Sequence, residues 1–148
     1  MTVPAAHELA VTDDGKRAYV SRRTANRLAV IDLEARTVED LLALGLPDTL
    51  RLSANEHLLT VGLRTMPAQL AVMDTRTLVY NLVDLSAPGE LTTIGGHQWT
   101  SLSGRFTFAS FEGGTSPGVA VIDHRADNQV VQRWPYAGRP HGVDHARP

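Results

Sequence analysis

The sequence predicts an all-β fold built from repeated four-stranded units, and three observations support this prediction. An apolar run closed by aspartate occurs three times along the 148 residues. Each copy is accompanied by three further short apolar or aromatic runs, separated by turn residues. Helical periodicity is weak nearly everywhere. The one competitor is 33–46, where a short helix could form, but the β-branched Val38 and the other two copies favour a strand.

The third run of each unit is the most regular part of the repeat. It reads Leu-Ala-Val-Ile-Asp at 28–32, Leu-Ala-Val-Met-Asp at 70–74 and Val-Ala-Val-Ile-Asp at 119–123. A strand covered on both faces is apolar on both sides instead of alternating, so these runs are predicted to be central, buried strands. The residues expected in the core are Val30, Ile31, Val72, Val121 and Ile122.

The other runs occupy matching places around each third run. The first runs lie at 8–12, 49–53 and 98–102, and the second runs at 18–21, 58–61 and 106–110. The fourth runs lie at 37–44, 77–85 and 128–134. Small polar residues and glycine separate the first run from the second, at 13–15, 54–56 and 103–104, where a tight hairpin turn needs them.

Four short strands repeating every 40–50 residues or so are typical of a β-propeller blade. We therefore predict a single partial propeller of about three four-stranded antiparallel blades plus the first strand of a fourth. The expected boundaries are about 4–47, 48–91, 92–139 and 140–148. A closed ring has typically 4–8 blades, so three would leave two faces open. We expect the remaining blades of a longer chain, or identical chains, to complete the ring, and we favour the longer chain because a fourth unit has begun.

The first copy also carries a family resemblance. Asp-Asp-Gly-Lys-Arg-Ala-Tyr-Val-Ser at 13–21, followed by Val-Ile-Asp at 30–32, resembles the YVTN-type β-propeller repeat, and Val-Ile-Asp recurs at 121–123. The second copy departs from it, with Glu56 at the glycine position. The resemblance extends to propellers of the amine dehydrogenase heavy-chain and nitrous oxide reductase type. It implies a bacterial-type propeller, which would be periplasmic or secreted if the full-length chain carries a signal peptide. Propellers host unrelated activities, so it implies no particular reaction.

Composition narrows the function classes. With 43% hydrophobic and 20% charged residues and a net charge of −2, the chain lacks the cationic surplus of a nucleic-acid binder. Cysteine is absent, which excludes disulfides, thiolate zinc sites and cysteine nucleophiles. The longest apolar stretches, such as 41–46, are far too short to span a membrane. We expect neither nucleic acid nor membrane as a partner, and the compartment stays open.

Histidine recurs at one place in the repeat. His7 precedes the first strand of unit one, and the same place holds Asp48 in unit two, lies beside His97 in unit three and holds His141 in unit four. Imidazoles meeting near the channel rim would suit copper, iron or zinc, and the resemblance to nitrous oxide reductase implies copper. We favour the structural interpretation, in which the histidine fixes a neighbouring turn, and predict no cofactor.

Four other groups of residues are assigned a structural or a binding role. The closing residues Asp32, Asp74 and Asp123 are predicted to cap the following turn through backbone N–H groups. The arginines at 17, 22, 23 and 27 are predicted to form a solvated loop rather than a phosphate clamp, because neither an aromatic platform nor a positive net charge accompanies them. Trp99 and Trp134 are predicted to pack in the core or between blades. The long glycine-rich loop is a candidate ligand or partner loop. Its residues are Glu112, Gly113, Gly114, Thr115 and Ser116.

No nucleophile-elbow motif is present in the sequence. The predicted function is therefore a non-catalytic β-propeller module that presents its rim and loops to a protein or a small ligand. The alternative is a segment of a metal- or cofactor-dependent oxidoreductase propeller with histidines near the central channel.

Overall fold

The computed structural model describes residues 2–90, 93–113 and 116–138, and at 39–41 and 93–96 it describes the backbone alone. These residues contain twelve β-strands. Sheet one contains β1 (Leu9–Val11), β2 (Arg17–Arg22), β3 (Arg27–Asp32) and β4 (Thr37–Ala43). Sheet two contains β5 (Pro47–Leu52), β6 (Leu58–Leu63), β7 (Gln69–Asp74) and β8 (Tyr80–Asp84). Sheet three contains β9 (Thr93–Thr100), β10 (Phe106–Glu112), β11 (Gly118–Asp123) and β12 (Gln129–Pro135).

Each sheet is an antiparallel meander in which consecutive strands are neighbours. The prediction of three four-stranded antiparallel units is therefore confirmed, and so is the strand at Thr37–Ala43 in place of a helix. The predicted core residues of the third strands are all buried. The exact blade boundaries stay a prediction, and the expected fourth unit at 140–148 lies outside the described residues. No helix in the described ranges has the length and apolar character needed to cross a membrane.

The hairpins between first and second strands share one backbone requirement. Gly15 and Gly104 take positive φ values of 69° and 68° at equivalent turn positions. Glu56 occupies that position in sheet two with φ at 57°, which is a costlier conformation for a residue with a Cβ atom. The local departure of the second copy from the repeat pattern therefore leaves the hairpin geometry unchanged.

Two apolar cores lie between the sheets. In the first, Tyr19, Leu28 and Val30 of sheet one pack in one cluster with residues of sheet two that include Leu59 and Val61. In the second, the opposite face of sheet two packs against sheet three. Its members include Leu70, Val72, Ala109, Ala120 and Ile122. The sheets therefore form an arc in which sheet two is covered on both faces.

Buried polar contacts tie neighbouring sheets together near their first strands. The Ser21 hydroxyl donates to the Asp48 carbonyl at 2.7 Å, across the first junction. The side-chain amide of buried Gln98 donates to the carbonyls of Thr49 and Thr60, at 3.1 and 3.0 Å, across the second. Because a buried polar group must be paired, these bonds hold adjacent sheets in one relative position.

The first face of the arc has no neighbouring sheet among the described residues, although Val3 and Leu33 pack against its buried centre, which consists of Ala18, Val20, Ala29 and Ile31. Leu9 pairs with Val20 in β2 in the way that Leu50 pairs with Val61 in β6, so the two leucines occupy the same place in the repeat. Leu50, covered by sheet one, is 0% exposed, whereas Leu9 is 60% exposed. The same side chain position is thus buried at an inner junction and open at the end of the arc.

The last face of the arc shows the same contrast. Trp134 pairs with Val119 in the register in which Val83 pairs with Leu70, yet Trp134 is 50% exposed and Val83 only 8%. Trp134 lies near the Phe108 ring, with ring centroids 5.9 Å apart. Trp134 is therefore not part of the core of the described sheets, and its packing between two blades stays a prediction.

We predict that Gly118→Ala destabilises the protein. A Cβ atom at Gly118 would lie 2.3 Å from the carbonyl oxygen of Trp134, so β12 would have to move. Strain of this kind costs about 1–3 kcal/mol of unfolding free energy. Urea unfolding followed by fluorescence measures it, with Gln129→Ala at an exposed position of the same strand as control. Equal stability of the two variants would contradict the packing described above.

Candidate functional site

The candidate residues gather at one end of the sheets. Rim one is the end where β1, β5 and β9 begin and where the β2–β3, β6–β7 and β10–β11 loops lie; rim two is the opposite end. His7 and Asp48 lie at rim one, and so do Glu112, Gly113 and Ser116 of the candidate loop. His97 lies in β9, the strand that begins there. Gly114, Thr115 and His141 lie outside the described residues.

The carboxylate of Asp48 is the centre of a charged cluster at rim one. Arg23 donates from Nη1 to Oδ1 at 2.9 Å, and Arg64 donates from Nη1 to Oδ2 at 3.2 Å. His7 Nε2 lies 3.4 Å from Oδ1. Asp48 is buried, whereas about a third of each arginine side chain is exposed, 36% in both cases. The cluster therefore pairs one buried carboxylate with two partly exposed guanidinium groups.

The repeat explains why these side chains meet. Arg23 and Arg64 each follow directly after the second strand of their sheet, so they occupy equivalent places in sheets one and two. The His7 amide donates to the Ser21 carbonyl at 2.9 Å and so extends the β1–β2 ladder beyond Leu9. Adjacent sheets with the same orientation thus bring equivalent loops to one junction. We call this junction, formed by His7, Arg23, Asp48 and Arg64, the rim-one cluster.

Of the four arginines predicted to form a solvated loop, three donate to protein groups, and Arg17 does so to the Thr75 carbonyl at 3.5 Å. Arg22 donates from Nε to the Pro4 carbonyl at 2.8 Å, and Arg23 pairs with Asp48. The sequence predicts a solvated loop because these arginines have no aromatic platform beside them and the chain has no positive net charge. The partner of Arg23 comes from the next sheet, which sequence spacing alone does not place beside it.

The predicted metal set is only partly assembled within the described residues. His7 and Asp48 meet, but the arginines already occupy both oxygens of Asp48. The carbonyl of His97 accepts the Ser110 hydroxyl at 3.1 Å within its own sheet. In the parts of the chain that the structure describes, no three His, Asp or Glu side chains form a possible metal site. A metal site that includes His141 stays a prediction.

The closing aspartates cap turns, as the sequence predicts. Asp32 accepts from the amide of Ala35 at 2.7 Å, and Asp123 accepts from that of Arg125 at 2.9 Å. Asp74 accepts from the two amides that follow it closely. The side-chain bond from Arg105 lowers the pKa of Asp123, and that from Arg76 lowers the pKa of Asp74. These carboxylates therefore serve as structural anions.

A hydrogen-bonded chain in sheet three was not foreseen from the sequence. His124 Nδ1 lies 2.7 Å from Asn128 Oδ1, and His124 Nε2 lies 2.7 Å from Thr107 Oγ1. Thr107 in turn contacts the Thr100 hydroxyl at 2.8 Å. The order hydroxyl, imidazole, amide resembles a hydrolytic triad, but Thr107 is fully buried and no substrate could reach it. The chain of contacts therefore fixes the β11–β12 turn onto the sheet.

Rim two holds a polar cavity of about 560 Å³ between sheets one and two. Acidic residues such as Asp14, Glu34 and Glu56 line it together with basic residues such as Lys16 and Arg76. Many of these charges are paired, as Lys16 is with Glu34 at 3.4 Å. Its mixed charge selects no ligand class.

Comparisons with known proteins show the fold. No protein-family model and no curated protein matches the sequence. Kuenenia stuttgartiensis hydrazine synthase is similar over 86% of this chain, at 20% identity and a TM-score of 0.73. The periplasmic gluconolactonase of Pseudomonas aeruginosa is similar over 90%, at 17% identity and 0.72. The Cps50 β-propeller domain of Myceliophteria thermophila is similar over 90%, at 16% identity and 0.64. The chain has a β-propeller fold.

The matched proteins are longer than this chain. The chain covers 36% of the hydrazine synthase chain, 42% of the gluconolactonase and 44% of the Cps50 domain. At these identities the likeness extends to the fold alone, and the activities of the matched proteins differ from one another. The three sheets thus correspond to less than half of a propeller protein.

We predict that acid destabilises the protein partly through Asp123. Because the folded-state pKa of Asp123 is lowered, its contribution is complete above the unfolded value of about 3.9 and is lost as the pH falls below it. Asp123→Asn should lower the melting temperature at pH 7 and reduce the further decrease on going to acid. Thermal melts from pH 7 to pH 2 test this. Asp127→Asn, in the exposed turn nearby, is the control and should keep the wild-type acid profile.

Proposed function

We propose that this chain supplies three blades of a larger β-propeller that acts as a non-catalytic binding module, and that its ligand or partner meets rim one. In this proposal the repeats are of the YVTN type and further blades complete the ring. The observation that supports completion of the ring is the contrast between Leu9, which is 60% exposed, and its equivalent Leu50, which is fully buried. Because sheet one covers Leu50, we expect a preceding sheet to cover Leu9 in the same way.

The energetics of sheet packing support completion of the ring. Blades are stabilised mainly by their interfaces with neighbours, and covering an apolar face removes its area from water. Sheets one and three each have one such face without a described neighbour, bearing Leu9 and Val11 at one end and Trp134 at the other. Similar solved propellers continue well beyond the length that this chain covers. Additional blades would cover both faces.

The geometry of the rims supports a binding role. Rim one combines the starts of the first strands with the loops after the second strands, so one surface receives side chains from several sheets. In the rim-one cluster, the partly exposed guanidinium groups of Arg23 and Arg64 are held there by the buried carboxylate of Asp48. The triad-like contacts in sheet three place the hydroxyl group on the buried Thr107, which favours a structural use over a reaction. Binding rather than catalysis is therefore the function that these residues support best.

We predict that Leu9→Ala and Leu50→Ala differ in the 148-residue chain and converge once further blades are added. Truncating the buried Leu50 should cost about 2–5 kcal/mol, whereas truncating the exposed Leu9 should cost less than about 1 kcal/mol. In a version carrying appended blades, Leu9→Ala should cost about as much as Leu50→Ala. Unfolding curves of the four variant proteins, compared with their two parents, measure this.

Light scattering and thermal melting of the unsubstituted proteins provide the second readout. The 148-residue chain should self-associate or aggregate, and the version with appended blades should melt at a higher temperature. A stable monomer that melts no lower than the extended version would contradict the proposal. So would a Leu9→Ala effect that stays small when the additional blades are present.

A further inference from the structure

The rim-one cluster points to a ligand class. We propose that Arg23 and Arg64, with His7 beside them, bind a small ligand bearing an oxyanion, a carboxylate or a phosphate group. The proposal rests on the binding role of rim one proposed above and specifies what that rim takes. Its basis is the charge, exposure and convergence of these side chains.

The charges of the cluster do not cancel. Two guanidinium groups face one carboxylate, so the cluster has a formal charge of +1 with His7 neutral, in a chain whose net charge is −2. Another carboxylate at this junction, Glu8, is engaged by the Leu50 amide at 2.8 Å and by Arg51 at 3.0 Å. Glu8 therefore has its own partners, and the surplus positive charge of the cluster remains.

The arginines are held in place yet remain accessible. Asp48 contacts each guanidinium through one nitrogen, Nη1, and a guanidinium has five N–H donors in a planar fork. Asp48 is buried, whereas about a third of each arginine side chain is exposed to solvent, 36% in both cases. Fixing a guanidinium before binding lowers the entropy lost when a ligand arrives. A second oxyanion above the pair would meet two oriented donors from adjacent sheets.

The form of the site favours a small oxyanion. Arginine forks match the geometry of carboxylate and phosphate oxygens and form strong, charge-assisted hydrogen bonds with them. A nucleic acid would need a broad basic surface, and the equivalent place in sheet three holds Glu112, which carries the opposite charge. The cationic pair is thus restricted to the first junction. This restriction selects a compact anion.

The test is titration of the 148-residue chain with inorganic phosphate and, separately, with citrate, at constant ionic strength and followed by calorimetry or NMR. The two probes distinguish a phosphate site from a carboxylate site. We expect one of them to bind with Kd of about 1 mM or tighter. Arg23→Gln and Arg64→Gln should each raise that Kd by about 10-fold or more. Arg76→Gln is the matched control, because Arg76 pairs with Asp74 at 2.9 Å but lies at rim two.

The outcomes separate the proposal from its alternatives. Failure of both probes to bind at about 10 mM would overturn it, and so would equal weakening by Arg76→Gln, which would indicate a general charge effect. If Arg23→Gln fails to fold, Arg23→Lys replaces it, and a several-fold higher Kd is expected because lysine lacks the fork; an unchanged Kd would overturn the proposal. If neither probe binds the unsubstituted chain while the Leu9→Ala results come out as expected, the anion site is rejected and the proposal of a larger propeller stands.

Discussion

The packing of one sheet on the next is the constraint on which the rest of this structure depends. A four-stranded sheet whose central strands are apolar on both faces is not stable alone, because another sheet must cover each face and exclude water from it. Sheet two meets this requirement through two cores, one with Tyr19 and Leu28 of sheet one and the other with Ala120 and Ile122 of sheet three. The polar bonds of Ser21 and Gln98 then fix how the neighbours sit.

The same stacking creates the rim-one cluster. Sheets that repeat one meander in one orientation bring equivalent loops to the same end, so Arg23 and Arg64 reach a single carboxylate from two sheets. Burying Asp48 without partners would be costly, since a desolvated charge loses its hydration. Arg23 and Arg64 offset that cost, and Arg23, which follows β2 of sheet one, also links sheet one to Asp48 of sheet two. A structural necessity at the junction thus leaves a patch of surplus positive charge at the surface.

Differences between the copies are concentrated in turns and rims rather than in the third strands. Glu56 adopts a positive φ where the other copies have glycine. Its side-chain carboxylate accepts a hydrogen bond from the Asp13 amide of the neighbouring hairpin. In sheet three, His124 links Asn128 to the buried Thr107, a chain of contacts that uses residues specific to that copy. A repeat can vary at these positions because the sheet faces carry most of the packing.

The sequence by itself determined the strand pattern, the buried third strands and the turn-capping role of Asp32, Asp74 and Asp123. All of these depend on neighbours within a few residues or on the period of the repeat, which a linear pattern contains. The tertiary structure alone decided that Arg23 pairs with Asp48, that Trp134 lies on an open face and that His124 reaches Thr107. Those outcomes depend on which sheet lies beside which residue. Side-chain contacts across a junction arise from the orientation and register of two sheets, and no local spacing in the chain encodes them.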